Sequence, residues 1–159
     1  MIRSEEGSAA VLVVVLLPFL ITIVAGVVQL GALRVIAARV SSAADLATLA
    51  AVDDQDDGAL TSTGALRLSP DAAAVARQYF ALNLAQIAGL LDVAPEVAAA
   101  GADVAAFPIA PAYDAALSRT YAQPTVRLLA SVPVRAPALA MIGLPAVSVI
   151  DVRAVSSPR

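Results

Sequence analysis

Asp53 to Gly58 reads Asp-Asp-Gln-Asp-Asp-Gly. Oxygen-bearing side chains at 53, 55 and 57, with glycine sixth, match the opening of a calcium loop, where alternate residues supply ligands and glycine makes the sharp turn. Such a loop needs a bidentate Glu at its twelfth position, and that position is Gly64. The segment therefore reads first as a solvated acidic stretch ending a helix, and no metal site is assigned. Asp45 stands alone in an alanine-rich stretch, where it faces either Arg39, a partner subunit or solvent. Asp103, Asp114 and Asp151 are scattered, with nothing in their spacing to pair them as the acid and base of a hydrolase.

The missing residue types narrow the chemistry further. The chain has no Cys and no His, and all ten of its basic residues are Arg. Thiolate and His-based nucleophiles, Cys or His metal ligands, Schiff-base lysines and phosphate-loop lysines are all excluded. A net charge of −3 excludes the basic footprint of a nucleic-acid binder. The expectation is a protein without catalytic residues, cofactor or small-molecule substrate.

Of the 159 residues, 60% are hydrophobic, and much of the excess lies in one block. From Ala9 to Leu33 no residue is charged. About 20 helical residues cover the roughly 30 Å of a bilayer core, so this block reads as a transmembrane helix over 9–33, behind a short polar head at 1–8. A cleaved signal peptide is the rival reading. Its leading segment is basic and its apolar stretch shorter, whereas here Glu5 and Glu6 oppose Arg3. The flanking arginines are too evenly divided to set orientation. Pro18 forfeits the hydrogen bond to the Val14 carbonyl and predicts a tolerated kink. Gln29, near the end of the span, reads as an interfacial polar residue.

The helix is predicted to continue as a stalk over 34–52, rich in Ala and Leu and free of Gly and Pro. Ile36, Val40, Ala43, Ala47 and Ala50 form one face, with Leu46 and Leu49 widening it. Residues 53–69 read as an acidic and polar loop. Ser69-Pro70-Asp71 then opens a second helix running to about Leu91, with Ser69 as its cap. Val75, Tyr79, Leu82 and Gln86, with Ala76, Phe80, Ile87 and Leu91, give it a broad apolar side. A strand is expected over 103–109 and a loop over 110–122. Alternation over Thr125–Val134 predicts a strand with Val126, Leu128, Ala130, Val132 and Val134 inward. Val147–Val155 predicts a second, antiparallel strand with a bulge at Val149-Ile150. The fold class is α+β, with residues 70–159 as a small head: one helix packed on a short antiparallel sheet, at the end of a long helical stalk.

Three passages together resemble a known family. They are a short polar head ending Gly7-Ser8-Ala9-Ala10, an apolar run containing Pro18, and a stretch ending SSAADLATLAA. In the last, Ser42, Ala43, Ala44, Asp45, Ala47, Leu49, Ala50 and Ala51 stand where a family motif of similar composition does. The whole resembles the TadE/TadG-like proteins of the Tad (tight adherence, Flp) pilus-assembly system. Residues 123–155 are similar to the family's closing strand, short apolar segment and final strand.

The resemblance implies a pilin-like architecture, a processing site between Gly7 and Ser8, and a role in assembly for Asp45. Pilin-like members carry Glu five residues after the cleaved Gly; here that position is Leu12. The departure favours the unprocessed variety, an assembly factor rather than a minor pilin. The implied protein is a single-pass component of the bacterial inner membrane with its head outside the cytoplasm. Its partners would be the bilayer and other pilus or envelope proteins, in homo- or hetero-oligomers. The alternative is a membrane-tethered binding module unrelated to pili.

Overall fold

The structure is a computed structural model that describes residues 3–140 and 143–158, the side chains of 3–11, 63 and 138 excepted. One helix, α1 (Arg3–Asp53), takes in both the apolar run and the stalk without a break. Pro18 lies inside it, and the Thr22 hydroxyl donates to the Pro18 carbonyl at 2.8 Å. A short α2 (Asp57–Thr63), α3 (Ala72–Ala85), a single 3₁₀ turn (Ala88–Leu90) and α4 (Pro95–Ala100) follow. The strands are β1 (Asp103–Phe107), β2 (Ala112–Asp114), β3 (Arg119–Tyr121), β4 (Thr125–Arg135) and β5 (Val147–Ser156), with α5 (Pro137–Ala140) between the last two. The fold is α+β, as the sequence pattern predicts.

β1, β4 and β5 form an antiparallel sheet in the order β1-β4-β5, and β2 and β3 form a separate hairpin. The inward side chains of β4 are the predicted ones: Val126, Leu128, Ala130, Val132 and Val134 are all buried. Val104 pairs with Leu128 from one side, while Val152 and Ala154 pair with Ala130 and Leu128 from the other. The register of β4 with β5 is unbroken from Val126↔Ser156 to Arg135↔Val147, so the expected bulge at Val149-Ile150 does not form. Val149 simply faces outward, 59% exposed. Its apolar character, not an extra residue, disturbs the alternation.

The sheet's apolar face is covered mainly by the stalk half of α1, with α3 packed alongside both. That places α1 inside the head's core. Ile36, Val40, Ala43, Ala44, Ala47, Ala51 and Val52 are buried at helical spacing, and Phe80 and Leu84 of α3 meet the same core. The stripe is mostly alanine because a small side chain lets backbone pack close to backbone. Thr48 is its one fully buried polar member. Its hydroxyl donates to the Asp45 carbonyl at 3.0 Å and lies 2.8 Å from the Ser156 hydroxyl of β5, joining helix to sheet.

Several local expectations are corrected. Leu46 and Leu49 do not widen the buried face; they are 54% and 48% exposed, and Ala50 is half-buried. Steps of 100° per residue carry both leucines round to the far side from Val40 and Ala47. Tyr79 and Leu82 of α3 are exposed for the same reason. Residues 53–69 hold the short α2, and residues 110–122 hold the β2–β3 hairpin. Asp71, not Ser69, is the residue before α3; the Ser69 hydroxyl accepts from the Asp71 N–H at 3.2 Å in the turn ahead of it.

Candidate functional site

The N-terminal half of α1 stands clear of the rest of the chain. Its most apolar 18-residue window has a mean hydropathy of 2.7 and is only 6% buried. A long apolar helix serving as a soluble core would be enclosed, and this one presents Leu12 to Leu17, Phe19, Leu20, Ile21, Ile23 and Val24 to its surroundings. It is long and apolar enough to cross a membrane. Gly7 and Ser8 lie in its first turns, and their side-chain surroundings are outside the described residues.

Gln29 departs from expectation. It is 9% exposed, while its neighbours Val28 and Leu30 are open. Seven residues separate it from Ile36, so it shares the face that continues into the buried stripe. The head thus reaches down over the last turns of the uncharged run.

Asp45 is exposed on the opposite side of the stalk from the buried stripe. Among the described residues all ion pairs involve Arg127, so an Asp45–Arg39 pair is not formed. Six residues along a helix place two side chains about 120° apart and about 9 Å along the axis, which is poor geometry for pairing. Val35, Ser42, Leu46 and Leu49 lie around Asp45 on this open side, and a shallow groove runs between α1 and α3 past Val35, Arg39, Leu46, Asn83 and Gln86.

The acidic segment is used for backbone geometry. Asp56 caps α2, its carboxylate accepting from the Ala59 N–H at 3.0 Å, and Gly64 ends that helix with a left-handed φ of 66°. The Asp56 N–H donates to the Arg67 carbonyl and the Ser69 N–H to the Asp54 carbonyl, clamping the segment to 67–69. Among the described residues no three Asp or Glu side chains gather as a metal site would require.

The strongest electrostatic cluster was not legible in the sequence. Arg127 points to the outer face of β4, as alternation predicts, yet its side chain is only 5% exposed because the β2–β3 hairpin covers it. Its two terminal nitrogens contact Asp103 at 2.9 and 3.3 Å. Its Nε lies 3.0 Å from Asp114 Oδ2 but off the N–H axis, an ion-pair contact without an aligned hydrogen bond. The Tyr121 hydroxyl donates to the same Asp114 oxygen at 3.0 Å. Burial raises the Tyr121 pKa above 10.0, and the hydrogen bond to Asp114 and that residue's negative charge raise it further. Phe107 packs on the Tyr121 ring with centroids 5.2 Å apart. The cluster fastens the hairpin to the sheet.

A family model described as putative Flp pilus-assembly TadE/G-like matches residues 7–54. Over that segment the chain is TadE/TadG-like. The matched segment is almost the whole of α1, so the TadE/G-like signature covers both the exposed apolar helix and the alanine stripe of the core. Ala43, Ala44, Ala47 and Ala51 of the motif are interior positions, whereas Ser42, Asp45 and Leu49 are on the open side. No curated protein and no solved structure matches the chain.

Proposed function

We propose that this TadE/G-like protein is a non-enzymatic, single-pass component of Tad/Flp pilus assembly, anchored in the bacterial inner membrane by the first half of α1, with its head outside the cytoplasm. The observation that carries the reading is that one helix holds both the family match and an apolar half left open to its surroundings. The open side of the stalk supports a lateral contact with other pilus or envelope proteins. Val35, Leu46 and Leu49 offer apolar area there, and Asp45 among them offers one charge for register. No nucleic acid, cofactor or small-molecule substrate enters the reading.

Between assembly factor and minor pilin, Leu12 in place of an acid favours the assembly factor. Fractionation of piliated cells tests the choice. An assembly factor stays with washed membranes after pili are sheared off, and recovery in the sheared filaments makes the protein a minor pilin. Asp45→Asn separates contact from stability: it leaves the melting temperature unchanged and lowers pilus yield. Normal piliation in that variant removes Asp45 from the contact. The reading of a binding module unrelated to pili predicts full piliation in a strain lacking the whole chain.

A further inference from the structure

The anchor reading leaves the β4–β5 connection unexplained. From Ala136 to Ile150 the chain carries no charged residue, and Ser148 is the single polar side chain. Leu144 is 51% exposed and Val147 36% exposed. Leu82, Val97, Ile109 and Tyr113 are as exposed elsewhere on the head, so it is the uncharged run of fifteen residues that marks this segment as a contact.

Its height along α1 says with what. The sheet is tied to α1 at one end by the Thr48–Ser156 hydrogen bond, and Ser156 pairs with Val126 at the start of β4. Nine strand steps lead from Val126 to Arg135, roughly 30 Å at about 3.3 Å each. The same distance along a helix is about 20 residues, which from Thr48 reaches the neighbourhood of residue 28. Two observations agree with that estimate: α5 touches α1, and Gln29 is buried on the face turned toward the sheet. The described residues of the connection, 136–140 and 143–146, therefore sit beside the last turns of the uncharged run. The first charges on the two elements, Arg34 and Arg135, are both exposed, with long side chains suited to reaching headgroups from this level.

The backbone of the connection is prepared for such a place. The Ala136 N–H donates to the Ala146 carbonyl, Leu139 to Ala136, Gly143 to Ala140 and Leu144 to Leu139. Backbone groups satisfied within the segment lower the cost of leaving water.

We propose that the β4–β5 connection, through its described residues around Leu144 and Val147, dips into the outer-leaflet interface beside α1, giving the head a second contact with the lipid bilayer and fixing its tilt on the anchor. The proposal rests on the anchor reading. Because the chain has no cysteine, single substitutions can be labelled uniquely. The full-length variants Leu144→Cys and Val147→Cys, with Leu20→Cys in the span and Thr61→Cys at the far end of the head, are labelled with an environment-sensitive fluorophore. Each is reconstituted into phosphatidylcholine vesicles with and without lipids brominated at upper acyl carbons. The proposal predicts blue-shifted emission and loss of intensity to the brominated lipid at 144, at 147 and at 20, and neither at 61. Quenching at 20 with 144 and 147 matching 61 overturns the proposal and leaves the anchor standing. No quenching at 20 overturns both.

Discussion

Asp114→Ala probes the cluster that fastens the hairpin to the sheet. The Asp114 side chain is 3% exposed and faces the guanidinium of Arg127, itself 5% exposed. Removing the acid leaves a buried charge with only Asp103 beside it, and Asp103 is 60% exposed. It also takes the acceptor from the Tyr121 hydroxyl. Breaking a buried pair from one side costs about 3–5 kcal/mol, and the retained contact to Asp103 places this case near the lower end, about 3 kcal/mol. For a head of this size each kcal/mol lowers the melting temperature by about 4–8 °C, so a fall of about 12–24 °C is expected. Asp103→Ala removes a half-solvated partner and should cost about 1 kcal/mol or less. The assay is thermal unfolding of the full chain in detergent, followed by tyrosine near-ultraviolet circular dichroism. A loss below about 1 kcal/mol for Asp114→Ala, or a larger loss for Asp103→Ala, refutes the assignment of Asp114 as the buried counter-ion.

Other outcomes follow from the same structure. The raised Tyr121 pKa makes its contribution to stability complete below pH about 10 and lost as pH rises through the raised value; alkaline melts should show this loss, and Tyr121→Phe should abolish it. Ala47→Leu forces bulk into the fully buried stripe where α1 meets the sheet and should cost about 1–3 kcal/mol, whereas Leu49→Ser on the open side should stay within about 0.5 kcal/mol. Phe80→Ala, at a fully buried α3 position, should cost about 3–5 kcal/mol in the same unfolding assay.

What the sequence made legible was what periodicity can carry. The alternation along β4 named its inward side chains correctly, because one face of that strand is apolar throughout. The stripe from Ile36 to Ala47 followed equally from helical spacing. The β2–β3 hairpin escaped because strands of three residues contain no period to read. With it escaped the burial of Arg127, since alternation gives the face of a side chain but not what lies over it. The roles of Leu46 and Leu49 were misjudged for a related reason: hydrophobicity alone does not separate a core leucine from one left for a neighbour. Gln29 looked interfacial because the sequence holds no record of how far the head reaches along α1. The family motif was readable by composition, but its division into interior alanines and an open side carrying Asp45 required the sheet to be in place.

The claim on which the account turns is that the first half of α1 remains part of the protein and holds it in a membrane. Intact mass spectrometry of carbonate-washed membranes from cells producing the protein tests this most directly. The account predicts a membrane-retained species beginning at Met1 or, if processed, at Ser8. A species released by carbonate, or one beginning at Ala32 or later, would contradict it.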